Sequence, residues 1–301
     1  MNDFNNYNIT KPKNVEELFK IILEIITRLY EKHIPDEVKH RKNKELAKMT
    51  DAEIITIQIL IECLGKTQNS GYQYLQANYP NLVNYVERSR FNRLIKALFI
   101  VIKYIRQKIK RNENCEYKIV DSFPLIVNKF GRAHFGRRLR EYSSYGYCAS
   151  KKERYYGMKV HVITDLYGNP IEYLLTKAEV DDREALYELS ETIYINTLFG
   201  DKGYVGNIDK DLKREKGIKL YALKRSNSKT PLPKAFRNLI SKARRRIEST
   251  FNQLIEHFDI QRVRANSIIG LSTMLEAKFL CFNLLALIGS NTKISNILNF
   301  N

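Results

Sequence analysis

Apolar side chains recur at three- and four-residue spacing along much of the chain, the signature of helices with one buried face. Val15, Leu18, Ile21, Ile22, Ile25, Ile26 and Leu29 mark a helix over residues 14–32. Thr50-Asp51-Ala52-Glu53 is a capping-box sequence opening a second helix at IITIQILIECL. A turn and a short helix ending at Pro80 are predicted for 65–80, and an amphipathic helix with a basic flank for 91–110. The first 112 residues therefore read as an all-helical module.

Helical periodicity breaks at Asn112-Glu113-Asn114. The β-branched run 116–120, EYKIV, predicts a strand that stops at a polar corner, Asp121-Ser122-Phe123-Pro124. Residues 129–159 are dense in Arg, Lys, Gly and Tyr without apolar periodicity, and read as an exposed basic loop or insertion. KVHVITD and PIEYLLT flank Leu166-Tyr167-Gly168-Asn169 as a β-hairpin. Asp181-Asp182 caps a helix running to about Tyr194. A short strand at 197–200, a helix at 207–216, a strand at 218–223 and a polar, basic loop at 224–233 follow. Ile240, Ala243, Ile247, Phe251, Leu254 and Phe258 then stripe a helix over 240–258, and 266–290 is one more apolar helix. Strand, hairpin, helix, strand, helix, strand and helix give an α/β domain with an antiparallel component over 113–262. Residues 263–301 are assigned to a C-terminal helix that completes its core.

Charge narrows the function. Lys and Arg number 51 against 33 Asp and Glu, a net +18, which implies a polyanionic partner, nucleic acid before membrane. Cys63, Cys115, Cys148 and Cys281 are far apart and form no zinc pattern, so they read as reduced thiols of a cytoplasmic protein. The N-terminus lacks a signal-peptide pattern, and the apolar run 279–288 is too short for a bilayer span. His33, His40, His134, His161 and His257 suggest structural or surface roles rather than metal ligation.

Two carboxylates, Asp121 and Asp201, stand at predicted strand ends, where α/β sheets collect their sites. Glu248, beside the buried stripe of the 240–258 helix, is placed to reach the same rim, with Arg244 one turn before it. Three such oxygen donors suit Mg²⁺ or Mn²⁺, and a two-ion site would activate a water or a 3′-hydroxyl for phosphodiester chemistry. Each residue also has a plainer reading: a turn aspartate for Asp121 or Asp201, a surface ion pair for Glu248 with Arg244. Asp165, Asp181 and Asp182 compete for the same role, and spacing alone does not choose among them.

VDSFP, SYGYCASKKERYYGMKVHVITDLYGNP, GDKGY and ARRRIESTFNQL, in this order, resemble the DDE-type transposases of prokaryotic insertion sequences, most closely the insertion-sequence 982 family. The resemblance runs from the capped helix at Thr50 to the apolar helix ending near Ile288. It implies an RNase H-like catalytic core whose metal-binding acidic triad is Asp121, Asp201 and Glu248, with Arg244 and Arg245 on DNA phosphates. Lys202 and Tyr204, inside the GDKGY motif, are further DNA contacts by this resemblance, with packing an equal alternative for Tyr204. The basic 129–159 segment supplies Arg137, Arg138, Lys151, Lys152, Arg154 and Lys159 as phosphate contacts, with tyrosines that could stack on unpaired bases.

The reading is a metal-dependent transposase that binds the terminal inverted repeats of its element, cleaves double-stranded DNA and joins the 3′-OH to target DNA. Two ends must be held together, so a dimer or larger assembly on DNA is expected. The helical module 1–112 is the candidate for end recognition. An RNase H-like nuclease without strand transfer, or a non-catalytic transposase-derived repressor, are the alternatives.

Overall fold

The computed structural model describes residues 12–39, 46–83, 85–109, 116–149, 151–223 and 233–288. Most of the basic linker at 40–45, the break at 112–114, Cys115, the loop at 224–232 and the end of the last helix at 289–290 lie outside the described residues. The chain divides into two units, Met1–Ile109 with Ser272–Asn301, and Lys110–Leu271.

In the first unit α1, Val15–His33, starts at Asn14, whose Oδ1 accepts the Glu17 amide at 2.8 Å. A second short helix, α2, spans Asp36–Lys39. The capping box forms as the sequence predicts. Glu53 Oε2 accepts the Thr50 amide at 2.6 Å, and Thr50 Oγ1 accepts the Glu53 amide at 3.2 Å, opening α3, Asp51–Cys63. Isoleucine and leucine bury α3 on every side. α4, Gln68–Asn78, and α5, Pro80–Val83, follow. The predicted 91–110 helix is two helices, α6 Arg88–Ala97 and α7 Phe99–Lys108, with a break at Leu98 that no glycine or proline announces.

The last helix, α11, Ile268–Ile288, crosses the boundary between the units. The sequence assigns residues 263–301 to the catalytic core, whereas Ser272–Ile288 group with the N-terminal helices. Its few charged groups explain the difference. Lys278 Nζ donates to Glu62 Oε2 of α3 at 2.6 Å, Arg106 of α7 pairs with Glu276, and Cys281 Sγ lies 3.2 Å from Cys63 Sγ. Buried charges need such partners, so α11 sits where they are. By length and composition α11 could cross a membrane, and most of it is buried within the protein.

The second unit carries the sheet. Its strands are β1 Tyr117–Asn128, β2 Ser144–Cys148, β3 Glu153–Thr164, β4 Pro170–Lys177, β5 Thr197–Gly200 and β6 Lys219–Ala222. The order β4-β3-β1-β5-β6 has β4, β3 and β1 antiparallel, with β5 and β6 parallel to β1. This is the mixed sheet expected of an RNase H-like core. β2 extends it, pairing with the first half of β3 on the side that β4 takes in the second half. The flanking helices are α8 Asp182–Leu189, α9 Ile208–Lys216 and α10 Lys234–Phe258.

Three predicted boundaries change. β1 does not stop at Asp121 but runs on through Pro124, because past Ile119 it pairs with β3 alone and a residue without an N–H fits an unpaired edge. The exposed basic loop at 129–159 is in large part folded, with short 3₁₀ turns at Phe130–Phe135 and Arg140–Tyr142 before the β2/β3 pair. α8 ends at Leu189 rather than near Tyr194, since the Ser190 and Thr192 hydroxyls turn back onto the Tyr187 and Leu189 carbonyls.

Candidate active site

Side chains alternate along β1, so Asp121 and Phe123 share one face of the sheet. Phe123 meets Phe251 of α10 edge to face, with ring centroids 4.9 Å apart. That contact fixes which turn of α10 lies over β1, and Glu248 is one turn earlier. The same helix is held at the β3–β4 turn, where Thr250 Oγ1 donates to the Gly168 carbonyl at 2.7 Å. Gly168 has φ +89°, and a Cβ there would come within 2.5 Å of Thr250 Oγ1, so only glycine suits the docked turn. Arg246 lies over the Tyr167 ring beside it. Near its start, α10 packs Phe236 against Tyr221 of β6 and Phe199 of β5.

Asp201 follows β5 directly. Its carboxylate caps the next turn, accepting the Lys202 amide at 2.5 Å. Tyr204 folds back beneath it, and a Cβ at Gly200 would come within 2.9 Å of the Tyr204 ring.

Arg244 joins these elements. Its guanidinium lies 3.3 Å from Asp201 Oδ1 and 3.1 Å from Glu248 Oε1. The i,i+4 pair with Glu248 read from the sequence is real, yet it is one arm of a bridge between α10 and the end of β5. Glu248 remains half exposed while Arg244 is largely covered.

Asp121 lies deeper. Burial, opposed by the Ser122 amide and Arg244 but reinforced by the Asp201 and Glu248 charges, pushes its carboxyl up to about 7. The three sequence-selected carboxylates therefore act on one another electrostatically, around one arginine. Asp165 is not among them. It is buried in the β3–β4 turn, accepting the Tyr167 and Asn169 amides at 2.8 and 2.9 Å.

A family model of the transposase DDE domain matches residues 85–268. The chain belongs to this family. No curated protein matches it. The match encloses every strand of the sheet together with α8, α9 and α10, so Asp121, Asp201 and Glu248 all lie within it.

Among the described residues, no three His, Cys, Asp or Glu side chains stand close enough to hold a metal ion as placed. In donor chemistry the set nevertheless fits a hard divalent cation. It offers three carboxylates, and burial beside like charges makes Asp121 a group that added positive charge would favour in its ionised form.

The expected DNA contacts of the transposase domain divide by accessibility. Arg137, Lys152, Arg154, Lys202 and Arg245 are exposed. Lys151 is exposed and donates to Gln261 Oε1 at 2.9 Å, while Arg138 donates to the Val127 carbonyl. For Tyr204 the packing alternative holds, and for Lys159 the expectation is corrected. Tyr204 is only 2% exposed, held in the core among Val120, Leu186 and Leu198, so packing rather than DNA contact describes it. Lys159 points inward, donating to the Val180 carbonyl at 2.9 Å and to Asp182 Oδ1 at 3.2 Å.

Asp182 is the residue that the sequence undervalues. Of the Asp181-Asp182 doublet, Asp181 caps α8 by accepting the Arg183 amide at 2.9 Å. A helix needs one cap residue, and the second carboxylate turns to the sheet instead. The doublet itself was the available signal.

Proposed function

We propose that the protein is the transposase of a prokaryotic insertion sequence of the 982 type, which binds the terminal inverted repeats of its element, cleaves there and joins the 3′-OH to target DNA. The observation that carries this reading is the Arg244 bridge between Asp201, at the end of β5, and Glu248 of α10, on the sheet face that Asp121 shares with Phe123 in a DDE-family domain.

Asp121, Asp201 and Glu248 would hold the divalent cation, Mg²⁺ or Mn²⁺ and two ions in the full reaction. Bound there, it would supply Lewis acidity at the phosphodiester and a lowered pKa for the attacking water or 3′-hydroxyl. The chain's own groups do the rest. Arg244 sets the Asp201 and Glu248 carboxylates and offers its remaining donors to phosphate oxygens. The Ser122 amide, 2.8 Å from Asp121 Oδ1, favours the ionised form of a carboxyl that burial would keep protonated near neutrality. No nucleophilic side chain is required, so no covalent protein–DNA intermediate forms.

Exposed cations track the DNA backbone. Lys202 and Arg245 flank the triad, and Arg137, Lys152 and Arg154 lie on the β2/β3 extension or in the segment leading into it. Tyr145 and Tyr147 on β2 are 52% and 60% exposed. The register puts Tyr145 opposite Tyr156 and Tyr147 opposite Arg154, and β3 alternation puts these on the sheet face of Val162, the partner of Asp121. Flat rings beside cations on that face suit unpaired bases near the cut. In the helical unit, Arg88, Arg90, Arg93 and Lys96 cover the exposed side of α6 and are offered for end recognition. Two copies on paired ends form the working assembly.

The test is to incubate the protein with labelled element-end DNA, a target plasmid and Mg²⁺. Joined end–target products support the proposal. Nicking without joining would make it a nuclease, and bound but uncut DNA a repressor.

A further inference from the structure

Behind the triad, on the opposite face of the sheet, lies a second polar cluster that the reaction as described leaves unused. Ser122 follows Asp121 in β1, so its side chain faces away from α10. Its hydroxyl donates to Asp182 Oδ1 at 3.3 Å. The same oxygen receives Lys159 Nζ at 3.2 Å and lies 3.5 Å from His161 Nδ1. His161, fully buried and opposite Ser122 in the β1/β3 register, is held at its other nitrogen by Thr176 Oγ1 at 2.9 Å. The second Asp182 oxygen reaches the GDKGY loop, 3.4 Å from the position of a Gly203 Cβ. Tyr204, next in that loop, has a buried hydroxyl with no hydrogen-bond partner among the described residues.

One carboxylate thus hydrogen-bonds the β1 segment that carries Asp121 and lies beside the turn that follows Asp201. Through Ser122 it reaches the main chain whose amide donates to Asp121, and its second oxygen lies alongside Gly203 in the turn that starts at Asp201. Lys159 and His161 anchor it to β3. A side chain needed only to cap α8 would require none of these contacts, since Asp181 already does that.

We propose that Asp182 is a positioning residue of this transposase: through Ser122 and the Gly203 turn it sets the spacing of Asp121 and Asp201. The inference rests on the triad reading above. Asp182→Asn keeps the size and removes the charge that Lys159 and its neighbours face. DNA-end binding by anisotropy should stay within about twofold, because Asp182 faces away from the triad. Cleavage should fall on the order of tenfold or more, as geometric errors of an ångström cost catalysis heavily.

Ser122→Ala should give a smaller loss of the same kind, and the double variant should be no worse than Asp182→Asn alone, because both act through one contact. Mn²⁺ binding to the DNA-free protein, read from the electron paramagnetic resonance of the free ion, should weaken on the order of tenfold in Asp182→Asn, the lower end of the range seen for groups that orient ligands. Asp182→Glu should restore part of it. Wild-type cleavage and Mn²⁺ affinity in Asp182→Asn would overturn the proposal, as would losses that multiply in the double variant or a variant that loses DNA binding and melting temperature together. If the wild type cut no DNA, the transposase reading would fail by itself, while the Mn²⁺ comparison would still decide the role of Asp182.

Discussion

Phe123 of β1 and Phe251 of α10 meet edge to face at 4.9 Å, and this contact decides where the third acidic residue of the candidate site stands. Asp121 is two residues before Phe123 on the same sheet face, and Glu248 is one turn before Phe251 on the same helix. An apolar pair thereby fixes the spacing of an acidic one. Both rings are buried, so Phe251→Ala should destabilise the protein by about 3–5 kcal/mol. Beyond area, the pair should show a coupling of about 0.5–1.5 kcal/mol in a Phe123→Ala/Phe251→Ala cycle. Urea unfolding of the four proteins measures both, and strict additivity would mean that the rings do not act as a pair.

Asp121 makes the site sensitive to pH near neutrality. Its carboxyl is raised from 3.8 to about 7, first by burial. For a group raised on folding, the stabilisation is full below the unfolded value and disappears as pH rises through the folded one. The metal-free protein should therefore lose stability between about pH 4 and 7, relative to an Asp121→Asn variant that lacks this proton. Mn²⁺ affinity should rise across the upper part of that window, because the ligand must lose its proton to bind. A Mn²⁺ affinity independent of pH from about 6 to 8 would contradict the assignment.

Arg244 opposes that shift, since its charge lowers the Asp121 carboxyl. Arg244→Gln should move the acidic limb of the cleavage profile to higher pH and release Asp201 and Glu248 from a common partner. At neutral pH the rate should drop about tenfold or more, by the loss of both effects. A variant with an unmoved pH profile would reduce Arg244 to a phosphate contact.

The two exposed tyrosines of β2 separate stacking from simple charge. Tyr145→Ala with Tyr147→Ala should weaken binding to an element end carrying an unpaired flap by roughly thirtyfold or more, since stacking contributes about 1–3 kcal/mol per base and two rings are removed. Fully duplex ends should bind within about twofold of wild type, and phenylalanine at both positions should keep the preference. Equal losses on flap and duplex would assign the hairpin to the phosphate backbone instead.

How much of this was legible in the sequence depended on whether local pattern or long-range pairing decides each element. Thr50 and Glu53 form their capping box because the motif is local, and the 240–258 stripe is buried as its spacing predicts. Asp-Ser-Phe-Pro read as a corner because its residues favour turns, but the pairing of β1 with β3 carries the strand through them. β2 and the start of β3 were hidden because SYGYC and ERYY lack the alternation of apolar and polar residues that marks a strand, and the largely exposed β2 looks like a loop. The motifs singled out Asp121, Asp201 and Glu248, of which Asp201 and Glu248 share Arg244 as a partner. They did not reveal that Lys159 turns inward or that Tyr204 is core, since burial depends on which face of the sheet each meets.

The central claim is that three carboxylates from three elements make one cleavage site. The most direct test measures end cleavage and end binding for Asp121→Asn, Asp201→Asn and Glu248→Gln side by side in Mg²⁺. Each single substitution should reduce cleavage by at least about a thousandfold, as groups acting as a unit do, with binding to the element end retained. Should any one of the three cut at the wild-type rate, that residue does not belong to the site, and the one-site account is wrong.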